Sequence, residues 1–172
     1  MNGIRLENSV FLPQVCKLVD EGKTVSINLR GNSMRPFLET DRDVGILSKS
    51  DGFKKGQVVL AEIDPGHFVL HRIDKIVSQG KNVNTVCCDK EADVTLRGDG
   101  NVCGTEHCKL GEVRALCDQV IRNGKKWTLS KSIFWKAYSW WWTHTIFIRR
   151  YQLALYRLVW RHELPARFKR HK

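Results

Sequence analysis

Residues 57–77 limit what this chain can fold into more than any other stretch. Positions 57–63 and 68–77 are rich in β-branched and aliphatic residues, and Asp64-Pro65-Gly66-His67 between them carries a Pro-Gly turn signal. The pattern predicts a long antiparallel hairpin, which is marginal alone in water and must recruit further strands or a helix. Thr24 to Arg30 alternates, with Val25, Ile27 and Leu29 on one face. Further strand-like runs lie at 44–47, 81–89, 93–97, 110–121 and 127–129, with turns at 54–56, 98–101 and 122–126. Residues 9–21 read as a helix: Asn8 or Ser9 can cap it, Phe11, Val15, Leu18 and Val19 share a face, and Gly22 ends it. The expected fold is mainly β, a barrel or sandwich of short antiparallel strands after an N-terminal helix.

A chain of 172 residues suits one such domain, placed at 1–130, plus an appendage at 131–172. The appendage differs in composition. It holds +9 of the net charge of +11, with ten Lys or Arg against Glu163, and five of the six tryptophans. Nothing breaks a helix before Pro165, so an aromatic, basic helix is expected. Residues 137–148 lack any Lys, Arg, Asp or Glu, but a spanning helix needs about 17–25 apolar residues. Tryptophans beside basic residues suit the membrane–water interface. Peripheral membrane contact through 131–172 therefore stands beside a plainer alternative, a helix that packs its aromatics on the body. Nucleic acid is disfavoured, because the aromatics cluster instead of interleaving with the basic residues.

The start, MNGIRLENSV, lacks a basic stretch followed by an apolar run, so no secretory signal peptide is expected. With no clear spanning segment either, a cytoplasmic or peripheral membrane location is expected. The six cysteines form no C-x-x-C pair, and Cys103, His107 and Cys108 match no common zinc spacing. Free thiols in a reducing compartment are the expectation, with no metal and no cofactor.

Three motifs carry the chemistry: G-N-S-M-R-P-F-L at 31–38, L-H-R-I at 70–73 and R-G-D-G-N at 97–101. A serine hydroxyl is a weak nucleophile and needs a base within hydrogen-bond reach, itself oriented by a third group. Ser33 leaves a strand into a loop braced by Pro36, His71 sits on the second arm of the hairpin, and Asp99 lies in a Gly-flanked turn from which it could reach His71. Each piece alone has a bland reading: a turn-forming serine, a structural histidine, an aspartate suited to turn geometry.

Together the motifs resemble the superfamily that joins type I signal peptidases with LexA-like self-cleaving repressors. Ser33, Met34 and Pro36 are similar to its nucleophile motif, residues 55–73 to its strand pair leading to the base, and Gly98, Asp99 and Asn101 to its closing motif. The likeness covers about residues 24–121, and Asp41-Arg42-Asp43 with the N-terminal helix resembles a compact bacterial branch without an anchor before the serine. The resemblance implies a signal-peptidase-like coiled β-barrel and a serine endopeptidase acting on a protein or peptide precursor. It implies Ser33 as nucleophile with its backbone N–H in the oxyanion hole, His71 as base, Asp99 as third member, and Arg72 as a supporting neighbour. Many relatives have Lys at the base position, so this is the Ser-His subtype. Gly31 replaces a serine that adds an oxyanion donor in some relatives, and Gly56-Gln57 replaces the usual Gly-Asp. The alternatives are an inactive relative kept as a binding or regulatory module, or a dedicated peptide-maturation protease.

Overall fold

A computed structural model describes residues 8–160. The basic segment 161–172 and the first seven residues lie outside the described ones, as do the Asn8 and Ser9 side chains read as caps. The chain begins with helix α1 (Asn8–Asp20) and continues through nine strands. These are β1 (Val25–Asn28), β2 (Asp43–Ser48), β3 (Val58–Asp64), β4 (His67–Ser78), β5 (Lys81–Asn82), β6 (Asp93–Arg97), β7 (Glu106–Lys109), β8 (Val113–Arg122) and β9 (Lys125–Thr128). Helices α2 (Ile133–His144) and α3 (Arg149–Trp160) close the described chain, joined through a 3-10 turn at Ile146–Ile148. The mainly β architecture is therefore as expected, with two C-terminal helices in place of one.

All pairings are antiparallel, in the order β1-β2-β8-β3-β4-β6-β7, with β5 on β4 and β9 on β8. The sheet is not closed. The hairpin β3–β4 is its centre, with Leu60 opposite Leu70 and Val59 opposite His71. Because side chains alternate across a strand, β3 feeds two cores at once. Val58 and Leu60 join α1, β1, Met34, Phe37 and Trp135 in one, while Val59 and Ala61 join Ile73, Ile76, Val94 and Leu96 in the other. That double burial explains why Val58 to Ala61 is an unbroken apolar run.

Two expected strands changed. Residues 83–89 leave the sheet after β5, and Cys87 instead bridges Phe53. Leu110–Glu112 form a 3-10 turn, so β8 begins at Val113. Strand β7 was not expected. It is an edge strand with Cys108 as its one buried residue, so its sequence carries almost no apolar alternation.

Candidate active site

The Ser33 loop, residues 31–38, is held from three directions. Met34, Phe37 and Leu38 are buried in the first core. Asp43 holds the far end of the loop. Its buried carboxylate accepts hydrogen bonds from Arg122 Nε at 2.6 Å and Arg42 Nη2 at 2.7 Å, and Arg122 Nη2 also donates to Phe37 O at 2.7 Å. Burial alone would raise the Asp43 carboxyl, but hydrogen bonds from Arg122, Arg42 and the Glu39 N–H outweigh it and hold it below the usual range. This gives structural work to the Asp41-Arg42-Asp43 stretch singled out in the sequence.

The third hold is the R-G-D-G-N turn. Gly100 N–H donates to Ser33 O at 2.7 Å. A Cβ on Gly98 would fall closer than 3.0 Å to Ser33 O, and one on Gly100 equally close to Asn32 O. Both neighbours are backbone atoms, so the two loops touch only because these residues are glycines. Gly100→Ala should push the Ser33 loop outward and slow any reaction at Ser33 by roughly 100-fold, as angstrom-scale misplacement does. A rate of serine-probe labelling unchanged from the native chain would refute that role for the turn.

Ser33 and His71 line one cavity of about 150 Å3, together with Leu29, Met34, Phe68 and Leu70 among others. His71 is only 4% exposed. Its Nδ1 lies 2.6 Å from Glu106 Oε2 but outside hydrogen-bond geometry, and neither atom has a hydrogen-bond partner among the described residues. Nε2 is left as the nitrogen available to Ser33. No hydrogen bond joins Ser33 Oγ to His71, and the Ser33 N–H donates to no group among the described residues. Gly31 has φ +96°, a backbone conformation that a serine would adopt only under strain. The lack of a side chain at position 31 thus follows from the turn itself.

Asp99 does not reach His71, which corrects the expected Ser-His-Asp geometry. It is buried on Arg72, which donates from Nε at 2.9 Å and from Nη2 at 2.6 Å. Arg72 also donates to Gly56 O and Ser139 Oγ, and its guanidinium lies 4.4 Å from the Phe37 ring centroid. Burial works against the Arg72 charge, but Asp99 outweighs it and raises the guanidinium's pKa above the ordinary arginine value. Trp142 Nε1 donates to Asp99 O at 2.9 Å, so the tail helix α2 braces the same turn. Asn101, the last residue of that motif, donates its backbone N–H to Gly98 O and sits half-buried inside the turn.

The group that sequence reasoning missed is Glu106. Register explains its position. Ile73 faces Leu96 across β4–β6, and Leu96 faces Glu106 across β6–β7, so all three side chains share a sheet face. His71 lies two residues before Ile73 on that same face, whereas Arg72 points to the other. A Gly104 turn followed by Thr105-Glu106-His107 was the available signal, but nothing local ties it to His71.

Among the described residues no three His, Cys, Asp or Glu side chains gather as a metal site would require. A larger cavity of about 540 Å3 lies between α2 and the hairpin, lined by Gly56, Arg72, Trp135, Ser139 and Trp140 among others, and neither Ser33 nor His71 reaches it. No family model, curated protein or solved structure matches this chain.

Proposed function

We propose that the chain is a serine endopeptidase cleaving a protein or peptide precursor, with Ser33 as nucleophile, His71 as base and Glu106 as the group that orients the base. The observation that carries this reading is the shared cavity: a loop serine and a buried histidine line it, and the histidine's Nδ1 lies 2.6 Å from a carboxylate oxygen of Glu106. His71 Nε2 takes the Ser33 proton as Oγ attacks the scissile carbonyl carbon. The free Ser33 N–H stabilises the oxyanion, and His71 returns the proton to the leaving amine. Water then releases the acyl group by the same route.

A cavity of about 150 Å3 corresponds to roughly five water volumes of about 30 Å3 each. It fits a small side chain before the cut. A cytoplasmic or peripheral membrane site of action fits a described chain that contains no helix long and apolar enough to cross a bilayer. The rival reading is a binding module that keeps the fold, favoured by the missing Ser33–His71 hydrogen bond. Unliganded catalytic pairs are often long and close only on substrate, so that gap does not exclude turnover.

Labelling with a fluorophosphonate probe tests the proposal. Covalent modification should map to Ser33 alone. A chain that resists the probe and turns over no member of a small-residue peptide library is the binding module instead. Glu106→Gln should slow labelling and kcat by about 100- to 10,000-fold, because an amide donor at Nδ1 favours the wrong imidazole tautomer. KM and the melting temperature should barely move. A purely structural Glu106 would show the opposite split.

A further inference from the structure

The two tail helices have two apolar faces each, and the body covers only one. In α2, Trp135 and Trp142 are buried and Tyr138 is half-buried. Tyr138 stacks on Phe37 at 5.2 Å and on Trp142 at 5.6 Å. Ile133 and Trp140 lie on the opposite side and Phe134 and Trp141 on a flank, all four exposed, with Ile133 83% exposed. In α3, Leu153 is buried and Tyr156 hydrogen-bonds Glu39, while Tyr151, Leu155 and Leu158 form an outer stripe at spacings of four and three. Phe147, in the turn between the helices, is 80% exposed. Arg150 and Arg157 are exposed and flank the α3 stripe.

We propose that this outer face of α2 and α3 seats the protein on an anionic lipid bilayer, lying in the interface and not crossing it. The inner faces are already occupied, so the outer aromatic and aliphatic side chains have no use in holding the fold. Each helix has 12 residues, about 18 Å at 1.5 Å per residue, against a hydrocarbon core of about 30 Å. As described, neither helix is long enough to span it, whereas either can lie flat. Charge selects the occupant. Residues 131–160 contain five basic residues, of which only Arg149 is buried, and no acid, and 161–172 add five more against Glu163. A second copy would set this positive surface against itself, whereas acidic head groups match it. Arg150 and Arg157 can extend past buried apolar neighbours to the head groups while Tyr151, Leu155 and Leu158 enter the acyl boundary.

The geometry also ties the surface to the cavity. Tyr156 contacts Glu39, which lines the Ser33 cavity, and Trp142 holds the Asp99 turn against the Ser33 loop. A protein docked through these helices keeps its cavity beside the membrane, where a tethered precursor would be met.

Vesicle flotation of the full chain tests the docking. The probes are phosphatidylcholine vesicles with and without phosphatidylglycerol, at low and high salt. The full chain should float with the phosphatidylglycerol vesicles, and less so at high salt. Leu155→Glu with Leu158→Glu should weaken partitioning at least about tenfold, since each buried methylene contributes to interfacial binding. Arg150→Gln with Arg157→Gln should lower binding to the anionic vesicles by roughly fivefold per residue and flatten the salt dependence. Phe147→Ser gives a second apolar variant if the double glutamate chain fails to fold. Ser33→Ala should float like the native chain, which keeps docking separate from peptidase activity. Three results would overturn the proposal. One is a full chain that stays in the aqueous fraction. Another is apolar variants that bind as tightly as native. The third is a dimer, or a complex with single-stranded RNA, that uses this face while vesicles do not.

Discussion

Ser33→Ala is expected to lower kcat by about a million-fold on a cleaved peptide and to leave a folded chain behind. The side chain is half-buried, and its recorded bonds to the rest of the protein are through the backbone carbonyl, which alanine keeps. Stability should therefore change little while chemistry disappears. His71→Ala should cost nearly as much in kcat, and the double variant hardly more, because nucleophile and base act as one unit. Steady-state kinetics on the best library peptide, with melting curves on the same samples, separates the two effects. Losses that multiply in the double variant would mean that Ser33 and His71 act independently, and the proposed mechanism would fall.

The second large effect is on folding. Asp99→Ala is expected to destabilise the protein by about 3–5 kcal/mol, since it strands the buried Arg72 charge. The melting temperature should fall by on the order of 10 °C. Replacing both partners, Arg72→Met with Asp99→Leu, should recover much of the loss, because two apolar side chains avoid the desolvation cost of an unmatched ion. If Asp99→Ala instead left melting unchanged and removed activity alone, Asp99 would regain the catalytic place that the resemblance implies. The Arg72–Asp99 pair links all three motifs. Arg72 follows His71, and Asp99 sits between the glycines that meet the Ser33 loop, so the structural pair sets the distance between the proposed nucleophile and its base.

The aromatic tail divides into a packed face and an exposed one. Trp135, Tyr138 and Trp142 pack on the body and on the Asp99 turn, as the plainer alternative expected. Arg149 is buried beneath them, donates to Trp142 O at 2.8 Å, and has its pKa lowered by that burial. Leu153 of α3 is buried too, while Ile133, Phe134, Trp140 and Trp141 of α2 and Tyr151, Leu155 and Leu158 of α3 are exposed. Composition could not divide the tryptophans between the two roles, because a helix facing a protein and a helix facing lipid are written in the same residues.

Sequence alone determined the hairpin at 57–77, the mainly β class, the N-terminal helix and the separate character of the last forty residues. Those features rest on periodicity, turn chemistry and composition, which act within a few residues of each other. It also marked Ser33 and His71, each through its own short motif. Which acid stands beside His71 was decided by the tertiary structure. Asp99 looked suitable because its turn is Gly-flanked and stands third in order, but order along the chain does not say which sheet face a side chain occupies. The two-residue period of β4 turns Arg72 toward Asp99 and His71 away from it, and the registers of β4–β6 and β6–β7 carry Glu106 from an edge strand onto the histidine's face. That strand has almost no apolar pattern of its own, and only pairing with β6 makes it a strand at all.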